Sequence, residues 1–473
     1  MRPTVRIRDP IHGTQKFTKR ELAIIDTRAV QRLRGIKQLG MADLAYPGAT
    51  HTRYAHALGV MHVAGRVFDT VTADHDLDPQ DADRLLGTLR LAALFHDLGH
   101  APLSHSTELL MPPVDRLPLG PWCVRPRKED GHPRRATHED YTLAIVLDSP
   151  LTEVIREQMG AVGVCPEDVA ALLSDYPPPS LADRFVVAGR DWRPFLRQCV
   201  SSELDVDRMD YLLRDSYFAG VPYGRFDLEW LLENLRIAER DPPRPGAPRP
   251  VHLGIAARAS FGFEDFLLSR FHMFLAVYLH HVPVGYELML DALRRESPEE
   301  IALPADVEAY LDWDDFHFFH RLRASKSSWA RRIVERRGFR LLFEHKQQGE
   351  EPDPLRRGRL PVEQIARRLR EREVSFLTHE VKGKLSKYFG SAQAELEPSG
   401  TPHLPGLAPA RDEEPAPTLF VVEDGRMVPL ETHVALYRRY RGEVSLERIY
   451  VAPEQSDAAK AALSELTEDA RRP

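Results

Sequence analysis

The chain has 473 residues, 42% apolar and 29% charged, with 64 basic against 71 acidic side chains and a net charge of −7. Those values fit a globular protein with one large core or two to three domains, and they exclude a basic coat for nucleic acid. Three cysteines, Cys123, Cys165 and Cys199, make no disulfide framework and point to a reducing compartment, and no leader-like or membrane-spanning apolar run occurs, so the expected location is the cytoplasm.

Residues 5 to 20 alternate like a short strand, with turns at Asp9-Pro10 and His12-Gly13. Thr18 and Glu21 have capping-box spacing ahead of Leu22, Ile24 and Ile25, so a helix should start there. From Asp26 to Leu39, Leu33, Ile36 and Leu39 fall on one side of a helical pattern whose other side is basic. Tyr46-Pro-Gly breaks it. A second long helix should open near His51 and run to about Thr72, with Arg53 and His56 on a shared face.

Leu85, Leu89, Ala92, Ala93 and Phe95 then deliver an adjacent His96-Asp97, with His100 and His105 close behind. An isolated pair of this kind is most often a core histidine and a helix-ending aspartate. Imidazole beside carboxylate is also a donor set for a divalent metal that activates water, and the two following histidines favour that reading. Met111 to Arg135 reads as a long Pro- and Arg-rich loop, a lid-like feature, and Thr137 should cap the next helix. Residues 141 to 200 alternate helical patterns with Pro-marked turns.

Ser201 or Ser202 should cap a helix on which Asp207, Tyr211 and Asp215 share one face. With Arg208 beside them, that face offers acceptors for hydroxyls and a cation for phosphate; the plainer alternative is an ordinary amphipathic helix. Residues 240 to 252 are Pro-rich and lie between helices, and 257 to 293 is helical again, carrying Arg258, Arg270, Tyr278, His280 and His281. Residues 294 to 395 are mixed and rich in arginine. Strands are expected at Thr418–Val422 and from Arg448, then a terminal helix over 456 to 466.

Several stretches occur in the order of a known family: Asp9-Pro-Ile-His-Gly, Gln31-Arg-Leu-Arg34 through Gln38-Leu39-Gly, Pro47-Gly-Ala with Arg53 and His56, Phe95-His-Asp-Leu-Gly-His-x-Pro-x-Ser-His105, Thr137-His-Glu, and Asp205-Val-Asp-Arg-x-Asp-Tyr211. The set resembles the HD superfamily of phosphohydrolases, and within it the SAM-and-HD-domain dNTP triphosphohydrolases and their bacterial homologues. The pattern starts almost at Met1, so no SAM domain is expected ahead of it. The resemblance implies a mainly α fold: an HD helical core over 1–300, a helical C-terminal lobe over 301–396, a Pro-rich linker or loop over 397–417 and a smaller α+β segment over 418–473.

It also implies roles. His56, His96, Asp97 and Asp207 match the metal ligands, and the metal would be Mn, Fe, Ni, Zn or Mg. His100, His105 and His138 match the catalytic histidines, with His132 as the alternative to His138. Arg53 and Arg208 match phosphate-binding cations; Gln38, Tyr211 and Asp215 match sugar contacts; Leu39 and Tyr278 match the wall against a 2′-hydroxyl, and Arg270 joins the substrate group. Asp26, Gln31 and Arg34, with Arg258, match an allosteric guanine-nucleotide site at a subunit interface, where Asp and Arg would read the base edge. The implied activity is metal-dependent release of deoxynucleoside and inorganic triphosphate from a dNTP, by a homotetramer or other homo-oligomer, under a guanine-nucleotide activator. The alternatives are a phosphatase or phosphodiesterase on another nucleotide, and a non-catalytic nucleotide sensor or nucleic-acid binder; nucleic acid is the less favoured partner.

Overall fold

The computed structural model describes residues 5–120, 122–123, 134–242, 244–348, 360–384, 419–424, 426–434 and 443–469. The Pro-rich 397–417 stretch and His132 lie outside the described residues.

The fold is mainly α. An antiparallel hairpin opens the chain, β1 (Val5–Asp9) against β2 (Gly13–Phe17), with Asp9 opposite Gly13. Asp9 Oδ1 accepts the backbone N–H groups of Ile11 and His12 at 2.9 Å each, which fixes the tight turn. Helix α1 (Lys19–Ile25) starts on the Thr18–Glu21 capping box. The next helix, α2 (Arg28–Arg32), is shorter than the sequence pattern suggests. After Gly35 the backbone turns extended at Ile36, because Lys37 N–H goes to Asp315 and Gln38 N–H to His51 O rather than to a preceding turn.

Two long helices carry the core. Helix α3 (Arg53–Thr72) buries Leu58, Val60, Met61, Val63, Val67 and Phe68. Helix α4 (Pro79–Phe95) begins on the Asp78 cap with Pro79 in the first turn and buries Leu85, Leu89, Ala92 and Phe95 against it. Each large apolar side chain so buried stabilises the fold by about 1.5–3 kcal/mol. Helix α5 (His138–Leu147) starts on a Thr137–Asp140 capping box. Helices α6 (Pro150–Met159), α7 (Pro166–Leu173) and α8 (Arg193–Val200) complete that side. Helix α9 (Val206–Ala219) packs on α3. Its cap is Asp205, not Ser201 or Ser202: the carboxylate accepts Arg208 N–H at 2.9 Å.

Three sequence expectations are corrected or refined beyond this point. The Pro-rich stretch before residue 252 leads into a strand, Arg249–Ala256, which pairs antiparallel with Leu235–Glu239 after the short α10 (Leu228–Glu233). Pro245 sits in the turn ahead of the strand and Pro250 within it, and alternating Val251, Leu253 and Ile255 are buried in the core. The helical pattern over 257–293 resolves into two helices: α11 (Ser260–Met273) widens into a π-type turn at Phe274–Tyr278, and α12 (His281–Glu296) restarts on a His280 cap with Pro283 in its first turn. The mixed region contains strands Arg340–Gln348 and Phe376–Lys384, which flank Glu443–Val451 antiparallel. Strand Phe420–Glu423 instead pairs parallel with Arg249–Ala256. Among the described residues no single helix is long and apolar enough to cross a membrane.

Candidate metal centre

Helices α3, α4 and α9 converge on one cluster. His56, on the inner face of α3, points its Nε2 at His96 Nε2 (3.3 Å) and at Asp207 Oδ1 (3.0 Å). His96 Nε2 lies 3.4 Å from the same Asp207 oxygen. His96 is not mid-helix: it caps α4, where a free carbonyl, Ala93 O, accepts its Nδ1–H at 2.8 Å. His56 Nδ1 lies 2.7 Å from Asp210 Oδ2. Ala93 O and the Asp210 carboxylate are acceptors only, so both histidines donate from Nδ1 and turn their Nε2 lone pairs inward.

Two inward lone pairs and a carboxylate oxygen this close need a positive charge between them. Asp207 and Asp210 outweigh burial and push His56 up to about 10, and His96 also moves up, so this pocket strongly favours positive charge. The donor set therefore fits a divalent cation. Asp97 lies beside the trio, with Oδ2 3.6 Å from His56 Nε2 and Oδ1 3.4 Å from His96 Nε2. Its carboxylate also accepts from Arg53 and lies 3.2 Å from His100 Nε2.

Asp210 is a residue that sequence reasoning missed. Its other oxygen lies 2.6 Å from His12 Nε2 in the β1–β2 turn, and Arg214 donates to both oxygens at 2.8 Å. Arg214 and the two histidines hold the Asp210 carboxyl well below its ordinary range. Gly59 makes this approach feasible, since a Cβ there would collide with Asp210 and Arg214. Asp210→Asn should weaken divalent-metal binding by about 10- to 100-fold in a chelator competition. Unchanged affinity would mean that His56 does not hold the metal.

A second cluster adjoins the first. His138, the first residue of α5, stacks on His100 with ring centroids 4.0 Å apart, and His105 meets His100 edge-on at 4.6 Å. Gly99 allows this: a Cβ there would strike His138 O and Thr142 N. His138 Nδ1 bonds Glu108, and His105 Nδ1 lies 3.2 Å from it. Burial alone would lower His138, but Glu108 raises it to about 9, whereas burial and Arg53 hold His100 well below its usual range. Neighbouring imidazoles thus differ in protonation at neutral pH, as an acid and a neutral hydrogen-bonding group require.

The remaining candidates fall in two groups. Arg53 Nε donates to Ser104 Oγ at 2.8 Å, and Arg208 bonds Asp205 and Ser202 O. Tyr278 OH donates to Asp215 Oδ2 at 2.9 Å, His51 Nε2 lies 2.7 Å from Asp215 Oδ1, and the Tyr211 ring meets Tyr278 edge-on at 6.0 Å. Arg270 pairs with Glu203. Gln38 is buried and Leu39 half-buried. At the other group, Gln31 bridges Ile25 O (2.9 Å) and Arg34 Nε (2.7 Å) next to exposed Asp26. Arg258 stands elsewhere, against Asn234 and over Trp230. Cavities of about 510 Å³ (Leu341, Val451, Leu463) and 250 Å³ (Tyr223, His272, Leu275) lie apart from the cluster, which opens outward at Asp207, 30% exposed.

Residues 53–158, which carry His56, His96, Asp97, His100, His105 and His138, match the HD domain family. The chain carries an HD domain over these residues. An HD associated region follows over 254–375. An uncharacterised Bacillus subtilis protein is 33% identical over 294 residues, 62% of this chain and 55% of its own length. The deoxynucleoside triphosphate triphosphohydrolase SAMHD1 of Bos taurus is 32% identical over 245 residues, 50% of this chain and 39% of its own. This HD-domain chain thus spans about half the length of the curated relatives it matches. A hypothetical protein from Aquifex aeolicus shares the fold (TM-score 0.64, 23% identity, 97% of this chain and 99% of that one). So does a phosphohydrolase from Bacteroides thetaiotaomicron (TM-score 0.61, 19% identity, 94% and 99%).

Proposed function

We propose that this HD-domain protein is a metal-dependent dNTP triphosphohydrolase that releases deoxynucleoside and inorganic triphosphate. The observation that carries the reading is the His56–His96–Asp207 donor trio with an imidazolium–carboxylate pair, His138–Glu108, alongside. The deoxynucleoside triphosphate triphosphohydrolase activity of the SAMHD1 relatives supplies the substrate class. A divalent cation on His56, His96, Asp97 and Asp207 supplies Lewis acidity to the α-phosphate and lowers the pKa of a water beside it.

The protein's own groups do the rest. Arg53 and Arg208 bind phosphate oxygens. His100 and His105, held below the usual histidine range by burial, line the phosphate pocket beside them. One water adds to the α-phosphorus and gives up a proton to solvent, the Pα–O5′ bond breaks, and the departing 5′ oxygen takes a proton from His138, which solvent then reprotonates. Tyr211, Asp215 and Gln38 contact the sugar, while Leu39 and Tyr278 crowd the 2′ position. Such a wall alone rejects an added hydroxyl by about a hundredfold.

Asp26, Gln31 and Arg34 form the base-reading part of a guanine-nucleotide activator site on a homo-oligomer, with Arg258 as its basic partner from another part of the surface. Asp accepts from the base while Arg donates to it.

Product analysis over the four dNTPs and four NTPs tests the reading. Inorganic triphosphate should appear, with dNTPs preferred by about a hundredfold in kcat/KM. Phosphate or pyrophosphate in its place would make the protein another kind of nucleotide phosphatase. No turnover on any nucleotide would favour a sensor.

A further inference from the structure

Between His100 and His105 the backbone is left-handed twice in succession: Leu103 has φ 58° and Ser104 φ 59°. Non-glycine residues persist there only when their surroundings over-determine them. What fixes them is a carboxylate from the HD associated region, more than two hundred positions along the chain.

Asp315, 5% exposed at the start of the helix Asp315–Ala324, accepts Leu103 N–H through Oδ1 at 2.7 Å and Lys37 N–H through Oδ2 at 3.0 Å. Ser104 Oγ donates to Lys37 O at 2.7 Å and accepts Arg53 Nε–H at 2.8 Å, and Arg53 in turn donates to Asp97. The same region grips the loop on both sides of this turn. Tyr310 OH donates to Gly99 O at 2.7 Å, and Ser106 Oγ donates to Glu287 at 2.8 Å.

We propose that Asp315 is a positioning residue, which clamps the Leu103–Ser104 turn against Lys37 and so sets Arg53 on Asp97 and His105 beside His138. An ionised carboxylate is needed because both partners are N–H donors. Asparagine keeps one acceptor and turns an NH2 toward the other donor. The clamp holds Lys37 and the loop and touches none of His56, His96 and Asp207, so these three ligands keep their places without it. The kinetic consequence rests on the dNTPase reading; the backbone consequence does not.

Asp315→Asn tests this by hydrogen–deuterium exchange, metal content and kinetics on dGTP. Peptides spanning 98–106 and the Lys37 amide should exchange about tenfold faster or more, with the rest of the chain unchanged. Metal content should equal the parent's, while kcat falls about 10- to 100-fold and KM moves less than about threefold, as a misplaced Arg53 predicts. Ser104→Ala, which removes the links to Arg53 and to the Lys37 and Gln38 carbonyls but leaves Asp315 on Leu103 N–H, should lower kcat without faster exchange at 98–106. Parental exchange with kcat within about twofold would overturn the inference, and so would loss of metal alongside kcat. If the parent itself fails to hydrolyse dNTPs, the proposed function falls, and the exchange result alone decides the role of Asp315.

Discussion

Asp207→Ala should lower dNTP turnover by about 10⁴-fold and strip most of the bound metal, with the melting temperature within a few degrees of the parent. Asp207 sits in the first turn of α9, and the Asp205 cap and buried Leu212 that hold this helix are untouched by the change. Its Oδ1 lies within 3.4 Å of both His56 and His96 Nε2. Removing it leaves two imidazoles facing each other with only Asp97, whose charge Arg53 already offsets, to draw a cation between them. Elemental analysis beside steady-state kinetics reads both effects. Turnover at the parental rate would mean that the chemistry happens elsewhere.

His138→Gln should cost about 10²- to 10⁴-fold in kcat, the range that a positioned proton donor contributes. The pH profile identifies the proton. A general acid works only while protonated, and Glu108 raises His138 to about 9. Parental activity should therefore hold through neutrality and fall as pH rises through about 9. Glu108→Gln removes the negative partner, so His138 drops toward the ordinary histidine value near 6.5 and the alkaline limb moves down with it. A limb that stays near 9 in that variant would assign the proton to another group.

Much of the site could be read from sequence because its pieces are local. The apolar stripes of α3 and α4 are long and regular, and each delivers its histidine at a fixed offset, so His56 and His96-Asp97 could be picked out before their convergence was visible. Asp207 and Asp210 mark where that reasoning stops. They are three residues apart on α9, and nothing in their spacing says that one faces the metal cluster while the other holds His56 from behind. The answer depends on the β1–β2 turn, which brings His12 within 2.6 Å of Asp210 across 198 positions.

The same holds for Asp315, whose two partners are Lys37 and Leu103. Backbone groups carry no sequence signal for what they bond. In the C-terminal part, Glu443–Val451 finds its neighbours Arg340–Gln348 and Phe376–Lys384 over long separations, and all three strands carry charged residues in their alternation. Local pattern alone cannot register such pairings. At Ile36 a helical period continued past the point where tertiary hydrogen bonds had already taken the backbone elsewhere.

Anomalous diffraction from crystals of the protein grown with Mn²⁺ tests the central claim most directly. The account predicts one strong peak about 2.0–2.3 Å from His56 Nε2, His96 Nε2 and Asp207 Oδ1, with an Asp97 oxygen completing the protein's share of the ligands. A peak among His100, His105, Glu108 and His138 instead, with none between His56 and Asp207, would contradict it.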